Sequence, residues 1–140
     1  MTQLLLTSFQ TWQAHQTSNS SDDLLGLIGD RPAFAPHHYL RHLPVDTAIA
    51  SRMVCAQIDQ LQPTGVLCCG MAETRSRLSL EVRAREPGGE RIYTTAIPLS
   101  QFLAQLPHTT LSEDAGQFVC EGLYFYVLQH LETCSWPCWG

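Results

Sequence analysis

Much of what this chain could do chemically lies in six cysteines: Cys55, Cys68, Cys69, Cys120, Cys134 and Cys138. Cys120 has the most suggestive surroundings. The stretch Ser112-Glu-Asp-Ala-Gly-Gln-Phe-Val-Cys120-Glu-Gly-Leu-Tyr-Phe-Tyr126 reads as a strand end, a turn and the start of an apolar helix. A helix N-terminus carries unpaired N–H groups and about half a positive charge, which favours a thiolate and so a nucleophile. The competing reading is a buried thiol acting as a small hydrophobe. Asp114 and Gln117 have capping-box spacing. If Asp114 caps the helix, Cys120 falls in the second turn; if the helix starts nearer Gln117, Cys120 falls in the first.

The other candidate groups are less pointed. Cys68 and Cys69 sit in an apolar run, no Cys-x-x-Cys pair is present, and Cys134-x-x-x-Cys138 lacks histidines at zinc-finger spacing. The expectation is reduced thiols, no metal and no other cofactor. His15 follows the first apolar run and could approach a site there. His130 lies ten residues beyond Cys120, about 15 Å along a helix, and cannot serve it. His37, His38, His42 and His108 have no motif around them and read as surface residues.

With 140 residues and 44% hydrophobic content, the chain is of single-domain size and can bury a core. A formal net charge of -5 with 8 Lys+Arg and no basic cluster argues against a nucleic-acid partner. No apolar run approaches the roughly 20 residues of a membrane span. Met-Thr-Gln-Leu-Leu-Leu has neither a positive n-region nor a cleavage pattern, so a cytoplasmic protein is expected.

The elements that would position these residues alternate between strand and helix. Gln3–Ser8, with Leu4, Leu5 and Leu6 in succession, suits a strand buried on both faces. A polar loop with Phe9 and Trp12 near its start follows, then a short helix over Asp22–Ile28. His38–Leu43 reads as a second strand. Asp46 or Thr47 can cap a helix whose stripe is Ile49, Met53, Val54, Ile58 and Leu61. Val66–Cys69 reads as another buried strand. Leu78–Arg85 alternates, and Pro87-Gly-Gly-Glu90 can return it as a hairpin through Arg91–Thr95. Leu99, Phe102, Leu103 and Leu106 suggest a short helix, and Thr109–Ser112 a strand. Val119, Leu123, Tyr126, Val127 and Leu131 form the stripe of the Cys120 helix. The tail after it has no regular pattern. The pattern predicts an α/β fold with a mixed, mainly parallel sheet.

Three stretches together resemble the pyroglutamyl peptidase I (pyrrolidone-carboxylate peptidase) family. Leu4-Leu-Leu-Thr-Ser-Phe9-x-x-Trp12 is similar to its opening strand and Gly-Phe-x-Pro-Phe-Gly-Gly loop. Cys69-Gly-Met-Ala-x-x-Arg75 with Leu78-Ser-Leu-Glu81 is similar to Val-Gly-Gln-Ala-Gly-Gly-Arg and Ile-x-x-Glu-Arg. Ile97-Pro98 and Ser112-x-x-Ala115-Gly-x-Phe-Val-Cys120 are similar to Leu-Pro and Ser-x-x-Ala-Gly-Thr-Phe-Val-Cys-Asn. The likeness spans most of residues 4 to 131, with a deletion after Glu86.

The resemblance implies one cytosolic cysteine-peptidase domain over residues 1–140. It would be a three-layer α/β/α, phosphorylase/hydrolase-like fold, short of its last strand and helix. The implied activity is removal of N-terminal pyroglutamate from peptides. By resemblance Cys120 is the nucleophile, Glu81 the acid of a Glu–Cys–His triad and Arg75 the oxyanion residue. Phe9, Trp12, Asn19, Met71 and Val119 match positions around the pyroglutamyl ring. Pattern alone makes Glu81 a solvated carboxylate paired with Arg83 or Arg85. The family's histidine lies in a later Phe-x-His-x-Pro segment that this sequence does not reach, so weak or no activity is expected. Met71 replaces a glutamine, Gln13 and Ala14 replace a glycine pair, and Glu121 replaces an asparagine, putting a negative charge beside the thiol. Two rival readings follow: a non-catalytic homologue that binds or assembles, with homo-oligomers expected from exposed apolar surface, or a truncated gene product.

Overall fold

The computed structural model describes residues 2–140. In chain order its elements are β1 (Leu4–Phe9), α1 (Ser20–Gly29), β2 (His38–Leu43), α2 (Thr47–Leu61), β3 (Gly65–Cys68), β4 (Leu78–Glu81), β5 (Arg83–Arg85), β6 (Ile92–Thr94), α3 (Leu99–Leu103), β7 (Thr109–Ser112) and α4 (Val119–Leu131). β1 is central, with β2 and β3 both parallel to it. Its side chains alternate between two covered faces, as a strand's must. Leu5 and Phe9 join Leu43 and Val66 in a core closed by Ala50, Val54 and Ile58 of α2 and Leu123 and Val127 of α4. From the opposite face, the Ser8 hydroxyl donates to Asp22 of α1 at 2.7 Å. The expected α/β layering, helices on both faces of a parallel sheet, is present.

The helices follow the sequence with adjustments. Asp46 caps α2 by accepting the Ile49 N–H. The buried line of α2 is Ala50, Val54 and Ile58, whereas Ile49 and Met53, expected in the stripe, are exposed. α4 is buried almost all round. Leu123 and Val127 face the main core, while Phe125 and Leu128 pack with Ala84 in a second cluster. Gly122 permits this close fit, since a methyl group there would come within 2.6 Å of Thr47 Cγ2.

The expected hairpin is the main revision. The alternating run breaks at Val82: β4 pairs in parallel with β7, and only β5 pairs antiparallel with β6. Val82 serves both partners, donating its N–H to the Ser112 carbonyl and accepting the Thr95 N–H at its own carbonyl. The alternation signals a strand with two faces but does not say which edge pairs with what. Nor is β3 fully enclosed, for Leu67 is 43% exposed. The tail is not wholly irregular. Trp139 lies parallel beside Gly65, accepting the Val66 N–H at 2.8 Å, with its indole packed over the glycine.

Candidate active site

Cys120 is the second residue of α4. Phe118 is the N-cap, with extended backbone and no side-chain cap. The Asp114–Gln117 capping box does not form, because Asp114 Oδ1 accepts the Gly116 N–H at 2.9 Å in a tight turn with Gly116 at φ +85. The first-turn reading is therefore the correct one. Val119 and Cys120 N–H have no backbone acceptor among the described residues, as the first positions of a helix leave them. Gly70, just after β3, faces this point: a methyl group there would stand 2.7 Å from Cys120 Sγ.

Burial pushes the Cys120 thiol up to about 11, opposed by its own backbone N–H. The negative charge of Glu121, next in sequence, is not the cause of this rise. The Glu121 carboxylate is buried and accepts the Arg85 N–H at 3.1 Å, tying α4 to β5. Burial likewise raises Cys69 to about 11 and Cys68 to about 12.

Glu81 ends β4 and lies in register with Ser112 of β7. Arg75 crosses to it, with Nη1 donating to Oε1 at 2.6 Å and Nη2 to the Asp114 carbonyl at 2.7 Å. The local pairing with Arg83 or Arg85 is not what forms: Arg83 turns to Glu113, and Arg85 uses its backbone on Glu121. Glu81 Oε2 is buried without a hydrogen-bond partner. The Glu81 carbonyl accepts the Tyr124 hydroxyl of α4 at 3.1 Å, so the acid and the cysteine are fixed to one helix.

The ring-site candidates fall into two groups. Trp12, Met71 and Val119 are half-buried, with Met71 Sδ over the Ser20 N–H at 3.5 Å. Phe9 is 2% exposed, inside the core. Asn19 is the N-cap of α1: its Oδ1 accepts from Ser21 and its Nδ2 donates to the Gln10 carbonyl, closing the loop that carries Trp12. His15 reaches Glu73 at 3.1 Å, where Gln16 also donates, clasping the loop after β1 to the loop after β3. His130 pairs with Asp59 at 2.8 Å. Among the described residues, no histidine is hydrogen-bonded to Cys120 or Glu81.

Sequence reading gave Gly70 no role beyond ending a strand and passed over Glu73. A glycine directly after a strand was the available signal for Gly70, since it marks close approach. Nothing local marks Glu73, whose role depends on a partner 58 residues away.

No protein-family model matches the chain. It is 27% identical over 151 residues to a pyrrolidone-carboxylate peptidase of Pseudomonas fluorescens (strain SBW25), covering 91% of this chain and 70% of that one. Its fold is similar to that of pyroglutamyl peptidase I from Bacillus amyloliquefaciens, with a TM-score of 0.83 at 20% identity over 100% of this chain and 79% of that one. It is also similar to the pyrrolidone carboxyl peptidase of Thermococcus litoralis, with a TM-score of 0.82 at 19% identity over 99% and 74%. The resemblance carried by the three stretches and the expected fold are both borne out.

Proposed function

Taking kinship with the pyroglutamyl peptidases as premise, we propose that this chain is a cysteine-type peptidase acting on peptides that begin with pyroglutamate. The observation that carries the reading is Cys120 in the first turn of α4, with free N–H groups around it and bare Gly70 opposite. Cys120 Sγ attacks the pyroglutamyl carbonyl, and the N–H groups of Val119 and Cys120 receive the oxyanion. Arg75 adds positive charge on that side while holding Glu81. The proton of the Cys120 thiol passes through solvent to the peptide amine as it leaves, and a water molecule then hydrolyses the thioester, releasing pyroglutamate and restoring the thiol. Trp12, Met71 and Val119 face the lactam ring, Phe9 backs them, and Asn19 fixes the loop that carries Trp12.

The same geometry implies a slow enzyme. A thiol at about 11 is ionised in roughly one molecule in three thousand at pH 7.5. The unpartnered Oε2 of Glu81 is the acceptor that would orient an imidazole N–H, and none of the described histidines supplies one. Turnover of a fluorogenic pyroglutamyl amide tests the reading. Slow release, abolished by Cys120→Ala and reduced by Glu81→Gln, is expected. Release unchanged in Cys120→Ala, or none at any enzyme concentration despite a folded protein, overturns it.

The non-catalytic reading has one observation in its favour. Ile97, Pro98, Phe102 and Trp139 line an apolar hollow, and Phe102 and Trp139 are 46% and 38% exposed. We propose self-association through this face. A sedimentation profile that stays monomeric up to high protein concentration removes that reading.

A further inference from the structure

We propose that the cleft between residues 74–77 and the β4–β7 pair is a subsite for an acidic side chain on the leaving portion of the peptide, with Arg77 as its anchor. The proposal rests on the pyroglutamyl-peptide reading above and adds a specificity to it. The cleft is shallow and open to solvent, and its walls include Arg75, Ser76, Arg77, Ser79, Thr110 and Ser112. It adjoins the candidate active site at Arg75, which lines the cleft while its guanidinium holds Glu81 and the Asp114 carbonyl, and at Ser112, in register with Glu81. In this proposal a peptide held at Cys120 lays its following residues past Arg75 along the cleft.

The charges there are not balanced. Arg75 is offset by Glu81, Arg83 by Glu113 and Arg91 by Glu86. Arg77 is exposed in the cleft and, among the described residues, has no salt bridge or hydrogen bond. No aspartate or glutamate lines the cleft, although the chain as a whole carries a formal charge of -5. Serine and threonine hydroxyls beside a free guanidinium are donors suited to a carboxylate. A lysine or arginine side chain would meet the unpaired Arg77 and would be disfavoured.

Binding can be measured without turnover in the Cys120→Ala protein, using fluorescently labelled peptides. One pair begins with pyroglutamate followed by either aspartates or lysines. A second pair has the same residues after an acetylated alanine. Acidic peptides should bind roughly fivefold or more tightly than basic ones, a preference that weakens with salt. Arg77→Ala should abolish it and Arg77→Lys keep most of it. If the acetylated acidic peptides show the same Arg77-dependent preference, and pyroglutamate adds nothing, the cleft assignment stands and the peptidase reading falls. If pyroglutamyl peptides bind equally whatever their charge, or prefer acid to the same degree in Arg77→Ala, the cleft assignment is overturned and the peptidase reading is untouched.

Discussion

Gly70 has no side chain at the point where Cys120 Sγ lies. A methyl group added there would be 2.7 Å from the sulfur and 3.2 Å from Cys120 Cβ. The contact joins the end of β3 to the start of α4 and fixes where the thiol can point. Gly70→Ala must therefore push the sulfur into another rotamer or separate the two elements, and overpacking of this kind costs about 2 kcal/mol. In a Cys120→Ala background only the 3.2 Å contact remains, and the same substitution should cost less than half as much. Denaturant unfolding of the four proteins reads the difference directly. Equal costs in the two backgrounds would show that Gly70 serves the backbone and not the thiol.

The thiol itself should be sluggish at neutral pH. With burial holding Cys120 at about 11, alkylation by iodoacetamide at pH 7.5 should run roughly 300-fold slower than for a free cysteine, and the rate should inflect near pH 11. Mass spectrometry of the Cys120 peptide isolates this site from the other five cysteines. Such a thiol holds its proton more tightly in the native state than in the unfolded one. The stability it contributes is complete below the unfolded value of about 8.5 and is lost as pH rises through about 11. Rapid alkylation at pH 7, with an inflection below 8, would mean that the helix terminus outweighs burial.

How much of this site was legible in the sequence depends on the range of the interactions. Cys120 stood out by its place near a helix start, whereas Glu81 and Arg75 were named only through the family resemblance; the structure joins Arg75 to Glu81 across six positions. The position of Cys120 within the first turn was not legible. Asp114 and Gln117 satisfy the capping pattern, yet Asp114 spends its carboxylate on the Gly116 N–H instead. Likewise Leu78–Arg85 alternates as one strand, but its partners change at Val82, and that change is set by β7 and β6. The α4 stripe named only one buried face, because Phe125 and Leu128 gain their cover from Ala84, far off in sequence. Charge neighbours were misleading too: Glu121 follows Cys120 but serves Arg85.

Arg75 and Glu81 should be energetically coupled. Their side chains are 33% and 22% exposed, so solvent screens part of the 2.6 Å contact, and about 1 kcal/mol of coupling is the scale to expect. A cycle of Arg75→Met, Glu81→Gln and the double variant, unfolded by denaturant at low and high salt, gives that value. Arg75→Met alone should cost more than the coupling, since Nη2 also holds the Asp114 carbonyl. Additive effects within 0.3 kcal/mol would be what independent surface residues show.

Asp22 should govern stability in acid. It is 8% exposed and receives the Ser8 hydroxyl at 2.7 Å and the Arg41 Nε and Nη2 at 2.8 Å each. His42 Nε2 lies 3.3 Å from the same carboxylate. Successive strand residues normally point to opposite faces, but β2 carries a bulge opposite Ser8, with His42 at φ 57, and so both Arg41 and His42 reach Asp22. The Arg41 hydrogen bonds, aided by Ser8, hold the Asp22 carboxyl below its ordinary 3.8, against the opposing effect of burial. A depressed carboxyl contributes stability that is fully present above the unfolded value and is lost as pH falls through the folded one. Acid unfolding of the native chain should therefore steepen below about pH 4. Asp22→Asn keeps the size and one acceptor but loses the charge. It should cost roughly 2 kcal/mol at pH 7, less than a fully buried pair because Arg41 is partly solvated, and progressively less as pH falls through the folded value. Thermal melts of the two proteins from pH 7 to pH 2 give the two curves. A gap that stays constant with pH would assign the effect to packing rather than to the carboxylate's charge.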